Sequence, residues 1–137
     1  MSNELRAMLI RQEGLRLKPY VDSVGKTSIG VGRNLTDNGI LESEAYAMLD
    51  NDIAMHTAEA VKLPVFANLD SVRQDVLIDM VFNMGLPRVL GFKHMLAALA
   101  AKDWDGAADQ MLESKWATQV GNRARELAQM VRTGTYV

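Results

Sequence analysis

The sequence contains no cysteine among its 137 residues, and this absence excludes several kinds of site. Disulfides, thiolate nucleophiles and cysteine-based metal centres are all ruled out. The two histidines, His56 and His94, lie far apart and occur in no metal-ligand spacing. No phosphate-binding loop, dinucleotide fingerprint or nucleophile elbow is present either. The sequence therefore offers no motif for a metal or a nucleotide cofactor.

An excess of charge of either sign is also lacking. The 15 basic and 17 acidic side chains leave a net charge of −2 and are spread along the chain, so nucleic acid is not expected as a partner. The first residues, MSNELRAMLIRQEG, contain four charges and no uninterrupted apolar run. This pattern argues against a signal peptide or a membrane span. If the target lies outside the cytoplasm, another component must deliver the protein.

What is present is the composition of an ordinary globular domain, with 48% hydrophobic and 23% charged residues. A chain of this length can bury a stable core without disulfide bonds or bound metal ions, so we expect one domain. Only 6% of the residues are aromatic whereas nine are methionine, which indicates a helix-rich, adaptable core. Trp104 and Trp116 are expected in that core rather than at a ligand surface.

Helical periodicity dominates the chain. A stripe of Leu5, Met8 and Leu9 predicts a first helix, capped at its start by Ser2 or Asn3, with one buried face. Residues 42–61 predict a helix long enough to bridge two lobes. Residues 70–84 have the strongest apolar periodicity and predict the central core helix. Shorter helices should follow and complete an all-helical lobe.

Glu13 continues the apolar stripe of the first helix, just before Gly14, the predicted C-terminal cap. Two interpretations remain open from position alone. The carboxylate could have an N–H or arginine partner that holds the helix end, since buried charges are normally paired. Alternatively, partial burial could raise its pKa and make it a general acid.

Residues 15–32 predict a small hairpin. An extended run ends at Asp22, residues 23–26 read as a turn, and residues 27–32 read as the returning strand. Strand alternation places Ser28, Gly30 and Gly32 on one face, which is nearly bare backbone. A large ligand such as a polysaccharide could approach that face, and a bulge or a packed helix is the alternative.

The stretch EGLRLKPYVDSVGKTSIGVG, residues 13–32, resembles the phage T4-type lysozymes, glycoside hydrolases that cut bacterial peptidoglycan. It matches the family spacing of glutamate, eight residues, aspartate, five residues and threonine, with Ser28 in the last position. NLDSVRQDVLIDMVFNMG resembles the family's central helix, and KDWDGAADQMLESKWATQVGNRARELAQMVRTGTY its C-terminal half. The region between Gly32 and Glu42 is shorter than in longer members, which implies a reduced small lobe.

The resemblance implies an α+β, predominantly α-helical, lysozyme-like fold that forms a single domain over residues 1–137. A small β-hairpin lobe would cover about residues 14–45. A larger helical lobe would contain about residues 1–13 and 62–137, and the long helix would join the two.

The resemblance also implies roles for individual residues. Glu13 corresponds to the general acid, Asp22 to the carboxylate that positions or activates water, and Ser28 to the hydroxyl that helps to hold this water. Thr27 is the competing hydroxyl. We prefer Ser28 because its distance to the following glycines matches the family and because alternation places it on the glycine face.

Other positions match residues that bind substrate or support the site. Arg123 matches the arginine that pairs with the catalytic glutamate, which would favour the ionised form of that glutamate. Arg33 replaces a family histidine, and Asp52 matches its acidic partner, so we predict an Arg33–Asp52 pair. Phe82 matches a cleft-facing residue, with a packing role as the alternative. The full set of candidates is Thr27, Gly32, Asn34, Phe82, Asn83 and Arg123.

The implied reaction is hydrolysis of the β-1,4 bond between N-acetylmuramic acid and N-acetylglucosamine, with inversion and without a cofactor. As a phage endolysin, the protein would be a monomer made in the host cytoplasm, without stable membrane insertion, and a holin-type partner would give it access to the wall. The alternatives are a lytic transglycosylase or chitin-type hydrolase, which needs Asp22 and Ser28 less, and a non-catalytic wall-binding or tail module.

Overall fold

The computed structural model describes residues 2–137, and 67% of the structure is helical, with one small antiparallel sheet. This confirms the α+β, predominantly α-helical, lysozyme-like fold. The chain divides into two compact units, the first ending at Met48 and the second covering Leu49–Val137. The lobe boundaries near residues 14, 45 and 62 stay a prediction. No helix within residues 2–137 is long and apolar enough to cross a membrane.

The first unit is built around a three-stranded antiparallel sheet in the order β1-β2-β3. In β2, Ser28 lies opposite Tyr20 of β1 on one side and opposite Asn34 of β3 on the other. The elements of this unit, with a third helix that continues into the second unit, are α1 (Asn3–Glu13), β1 (Arg16–Val21), β2 (Thr27–Gly30), β3 (Arg33–Asn34), α2 (Leu35–Asn38) and α3 (Glu42–Ala60).

Helix α1 begins and ends as its capping residues predict. The Ser2 hydroxyl accepts a hydrogen bond from the N–H of Leu5 at 3.1 Å, and Gly14 closes the helix. The predicted burial of the apolar stripe is wrong, because Leu5, Met8 and Leu9 keep 37–43% of their surface exposed. Periodicity identifies residues that share a helix face, but it does not tell whether another element covers that face.

The returning strand is shorter than predicted. Strand β2 ends at Gly30, and Val31 and Gly32 form a turn that leads into β3. Gly30 and Gly32 have φ values of 71° and 69°, in the region that L side chains rarely adopt. The two glycines are therefore needed for the backbone conformation of this turn.

The second unit is an all-helical bundle around α4, which confirms the predicted central helix. Asp70 caps α4 by accepting a hydrogen bond from the N–H of Arg73. Leu77 and Met80 of α4 are fully buried, as is Trp116, which is 2% exposed. After α3 come a 3₁₀ turn (Phe66–Asn68), α4 (Ser71–Met84), α5 (Leu86–Leu90), α6 (Lys93–Ala100), α7 (Trp104–Leu112), α8 (Lys115–Val120) and α9 (Asn122–Thr133).

Arg73 connects the central helix to the end of the last one. Its Nε donates to the carbonyl oxygen of Val131 at 2.7 Å, and one terminal nitrogen donates to that of Arg132 at 3.4 Å. These carbonyls belong to the last turn of α9, where intrahelical partners are missing. The guanidinium also lies 3.8 Å from the ring centroid of the half-buried Trp104. A single side chain thus holds three helices together.

We expect Arg73→Met to lower the free energy of unfolding by about 2–3 kcal/mol, because it removes charged hydrogen bonds from partly buried carbonyls. Urea unfolding followed by circular dichroism measures this change. Arg125→Met is the matched control, since the hydrogen bonds of the Arg125 guanidinium within residues 2–137 go to the exposed side chain of Asn122. An equal, small effect of both substitutions would contradict the anchoring role of Arg73.

Candidate active site

The nine residues predicted from the sequence fall in both units. Phe82, Asn83 and Arg123 belong to the second unit. The six candidates in the first unit are Glu13, Asp22, Thr27, Ser28, Gly32 and Asn34. The carboxylates and hydroxyls to which the resemblance assigns roles in the reaction all lie in the first unit. The contacts of each unit are therefore described separately.

The Asp22 carboxylate organises the turn between β1 and β2. Its Oδ1 accepts hydrogen bonds from the N–H of Val24 at 3.0 Å and from that of Lys26 at 2.9 Å. The backbone of Asp22 also pairs with that of Lys26 at 2.8 Å, and its carbonyl accepts from Gly25 at 3.1 Å. Both the position and the orientation of the carboxylate are therefore fixed by the hairpin itself.

The same contacts lower the pKa of Asp22 below its ordinary value. The strongest cause is the hydrogen bond from the N–H of Lys26. Desolvation of the carboxylate opposes it and raises the pKa, whereas the hydrogen bonds from the N–H of Val24 and the hydroxyl of Ser28 lower the pKa further. Hydrogen bonds to a carboxylate favour its charged form. Asp22 is therefore an anion at neutral pH, and its carboxylate is suited to orienting a water molecule.

Ser28 provides the hydroxyl that reaches this carboxylate. Its Oγ donates to Asp22 Oδ2 at 3.4 Å, and the side chain is buried, with 3% of its surface exposed. Thr27 is the neighbouring strand residue, so its side chain projects from the opposite face of the sheet. Its N–H donates to the hydroxyl of Thr36 in α2 at 2.9 Å. The geometry thus brings Ser28, the preferred candidate, to Asp22.

Glu13 is the last residue of α1 and is exposed to solvent. Its carboxylate packs against the backbone of Gly32, since a Cβ added at Gly32 would lie 2.8 Å from Glu13 Oε2. Gly32 therefore satisfies two requirements, a positive φ and space for a carboxylate. Around Gly30, in contrast, a Cβ would meet no atom within 4 Å. The close approach of another group to a glycine backbone therefore occurs at Gly32, in the turn after β2, and the group is the Glu13 carboxylate.

Asn34 lies on β3, directly opposite Ser28 of β2. Its Oδ1 accepts from the N–H of Asp37 at 3.0 Å, which caps α2, and its Nδ2 donates to the Asp37 carboxylate at 2.9 Å. Asp37 also forms an ion pair with Lys26 at 3.2 Å. Because Lys26 is the residue whose N–H binds Asp22, this chain of contacts connects α2 to the turn between β1 and β2.

Arg33 forms a bidentate ion pair with Glu44, with both N···O distances at 2.8 Å. The sequence prediction named Asp52 as the partner of Arg33, and the acidic partner in the structure is Glu44. Glu44 also accepts from the N–H of Leu41 at 2.7 Å, as a glutamate in the first turn of a helix often does. That first-turn position was a signal for the role of Glu44 that the resemblance did not supply.

Arg123 has an acidic partner within its own unit. Its Nε donates to Oδ1 of Asp79, on α4, at 2.8 Å. The resemblance implied the catalytic glutamate as the partner of this arginine, and because Glu13 lies in the first unit, that pairing stays a prediction. The sequence contains 17 carboxylate side chains, so it cannot by itself identify the partner of one arginine, because the pairing depends on how the helices pack.

Phe82 and Asn83 have distinct surroundings at the end of α4. Phe82 is 40% exposed, meets the ring of His56 edge-on at 5.1 Å, and lines a cavity of about 400 Å³ together with Arg123. Asn83 Oδ1 accepts from Nε1 of the buried Trp116 at 2.7 Å. Asn83 therefore supplies the hydrogen-bond acceptor for the indole N–H of a buried tryptophan, a supporting role that the sequence did not reveal. Among the described residues, no cluster of His, Asp and Glu side chains has an arrangement suited to a metal ion.

Comparison with known proteins gives a consistent set of relatives. A family model described as "Phage lysozyme" matches residues 10–132. "Probable T4-type lysozyme 1" of Dictyostelium discoideum is 29% identical over 165 aligned residues, which cover 98% of this chain and 97% of the relative. The "Endolysin" of Acyrthosiphon pisum secondary endosymbiont phage 1 is 32% identical over 86% of this chain and 80% of its own length.

A third relative is a part of a larger protein. The "Pre-baseplate central spike protein Gp5" of Enterobacteria phage T4 is 31% identical over 93% of this chain but only 27% of its own length. The Dictyostelium alignment is longer than this 137-residue chain, so that relative has additional residues. Whether they fall between Gly32 and Glu42 stays a prediction.

The Arg33–Glu44 pair predicts how the stability of the first unit depends on pH. The hydrogen bonds from Arg33 lower the pKa of Glu44 from 4.5 to about 2. Because the folded-state pKa is depressed, the stabilisation is complete above pH 4.5 and is lost as the pH falls towards 2. Glu44→Gln should therefore lower the melting temperature at pH 7, and the difference from the wild type should shrink below about pH 4.

Thermal unfolding followed by circular dichroism across this pH range measures the effect. Glu42→Gln is the matched control, since Glu42 lies in the same helical turn and contacts the Tyr46 hydroxyl rather than an arginine. A difference between wild type and Glu44→Gln that stays constant down to pH 2 would contradict the role of the ion pair.

Proposed function

The chain belongs to the phage lysozyme family, and from this premise we propose that it hydrolyses the β-1,4 bond between N-acetylmuramic acid and N-acetylglucosamine in bacterial peptidoglycan. Membership of the family supports a glycosidase that acts on peptidoglycan. The proposed mechanism rests on the contact between Ser28 Oγ and Asp22 Oδ2. The other oxygen of the same carboxylate already accepts hydrogen bonds from two backbone N–H groups. A fixed anion beside a hydroxyl is suited to positioning water.

In the proposed reaction Glu13 is the general acid. It lies at an exposed helix end, so a bound sugar can reach its carboxyl group without displacing other side chains. Protonation of the leaving oxygen by Glu13 would let the glycosidic bond break while positive charge develops at the anomeric carbon. Gly32 keeps space for the carboxyl group, and any larger residue there would move it.

Asp22 and Ser28 act on the water molecule. The ionised Asp22 accepts a hydrogen bond from the water and takes that proton as the water attacks, while the Ser28 oxygen, whose own proton is directed to Asp22, accepts a hydrogen bond from the other O–H of the water. The water would then attack the anomeric carbon from the face opposite the leaving group. This arrangement inverts the anomeric configuration, which distinguishes it from a mechanism with a covalent sugar intermediate.

The biological setting proposed for this activity is lysis of a bacterial host by a phage endolysin. We infer a monomer that is made in the host cytoplasm and degrades the wall after a holin-type pore protein has permeabilised the inner membrane. The relatives named endolysin support this setting. The reaction requires no metal or organic cofactor, because the acid and the water-binding groups are all side chains of the first unit.

Glu13→Gln should abolish release of soluble muropeptides from purified peptidoglycan, because the amide cannot protonate the leaving oxygen. The fold should persist, since Gln has the same shape and the side chain is exposed. Glu4→Gln, the same change on the same helix, should retain full activity. Wild-type rates in purified Glu13→Gln would refute the assignment, and 1,6-anhydro sugar ends in the wild-type products would identify a lytic transglycosylase instead.

The two hydroxyls of β2 can be separated by substitution. Ser28→Ala should reduce the hydrolysis rate by about tenfold, the equivalent of about 1.4 kcal/mol, because one hydrogen bond to the water is lost. Thr27→Val should leave the rate unchanged, since the Thr27 N–H that binds Thr36 is retained. Turbidity loss of cell-wall suspensions measures both rates, and the opposite ranking would show that Thr27 is the operative hydroxyl.

A further inference from the structure

The second unit contains an apolar cavity to which the proposed glycosidase function assigns no role. It has a volume of about 470 Å³, which is within the range of about 300–1,000 Å³ typical of ligand sites. The buried side chains of Val65 and Leu99 line it, together with Leu96 and Ala97 of α6. Leu90, 44% exposed, also lines it. We call it the α6 cavity, and none of the nine candidate site residues lies in it.

Two lysines stand at opposite ends of α6 and both line the α6 cavity. Lys93 is the first residue of the helix, and Lys102 follows its last turn. Both are exposed, and neither forms an ion pair with any residue in the described part of the chain. The nearby carboxylate of Asp103 instead accepts a hydrogen bond from the N–H of Gly106 at 3.0 Å and caps α7.

The backbone at Lys102 adds an independent observation. Its φ is 58°, and it is the sole non-glycine residue with a positive φ within residues 2–137. A position just after a helix with this conformation usually holds glycine, because a side chain there is strained. The fold alone would therefore favour glycine at this position. The lysine instead supplies a second cation to the apolar cavity.

An aliphatic cavity with two unpaired ammonium groups selects for one kind of molecule. The apolar lining of the cavity favours a hydrocarbon chain, because burial of the chain removes apolar surface from water. Because the lysines stand at opposite ends of α6, each offers a place for the anionic end group of one chain, and neither is paired with a carboxylate within the described residues. We propose that the α6 cavity binds a single acyl chain that carries an anionic head group, as in a fatty acid or a lysophospholipid.

Isothermal titration calorimetry of the full chain with decanoate, below its micellar concentration, tests the proposal. We expect saturable binding of one decanoate per chain. Octanoate should bind more weakly, by up to about fourfold for each methylene removed, because each buried CH₂ contributes to transfer from water. Decyltrimethylammonium has the same chain with a cationic head and should show no saturable binding.

Three variants locate the site. Lys102→Gly suits the positive φ, so the fold is retained while one cation is removed. Combined with Lys93→Glu, it should weaken decanoate binding at least tenfold. Ala97→Trp, which fills the cavity from an exposed position of α6, should remove binding. Lys115→Glu is the matched control, because Lys115 is likewise the first residue of a helix but does not line the cavity.

The source of the acyl chain is distinguished by sedimentation with vesicles of anionic phosphatidylglycerol. If the wild type sediments with the vesicles and the variant with both Lys93→Glu and Lys102→Gly does not, membrane lipid is the source. If the protein binds decanoate but does not sediment with the vesicles, free amphiphiles are the source. Either result supports the site. Absence of saturable decanoate binding, equal binding of decyltrimethylammonium, or an equal loss in Lys115→Glu would overturn the proposal.

Discussion

The hydrogen bonds to the Asp22 carboxylate are the interaction on which the candidate site depends. Two backbone N–H groups of the turn and the Ser28 hydroxyl converge on one side chain. This convergence closes the hairpin, and the same contacts lower the pKa of Asp22 so that it is charged at neutral pH. Structure and proposed chemistry therefore have a common cause. A residue that forms the turn is also the residue that can hold the attacking water.

Two arginines are each paired with a carboxylate of their own unit. Arg33 pairs with Glu44 in the first, and Arg123 pairs with Asp79 in the second. Both pairs are partly exposed, where ion pairs contribute little to stability by themselves. Their effect is geometric, since they fix the loops and helix ends that border the candidate residues. Glu13 is different, because its carboxylate is held by packing against the Gly32 backbone.

The sequence predicted features that depend on local order along the chain. The central helix follows from apolar periodicity, and the cap at Ser2, one of two candidates, follows from capping chemistry. The juxtaposition of Ser28 with Asp22 was implied by the family resemblance, and strand alternation supported only the choice of Ser28 over Thr27. Features that depend on tertiary placement were predicted wrongly. The partner of Arg33 and the burial of the α1 stripe both require knowledge of which elements come together, and no spacing in one sequence contains that information.

The central claim is that Asp22 and Ser28 direct water to the face of the sugar opposite the leaving group. The configuration of the first product tests this most directly. Proton NMR of a peptidoglycan oligosaccharide during hydrolysis resolves the anomeric signal of the new reducing end before mutarotation equilibrates it. We expect the α anomer to appear first, by inversion of the β-1,4 bond. Initial appearance of the β anomer would contradict it.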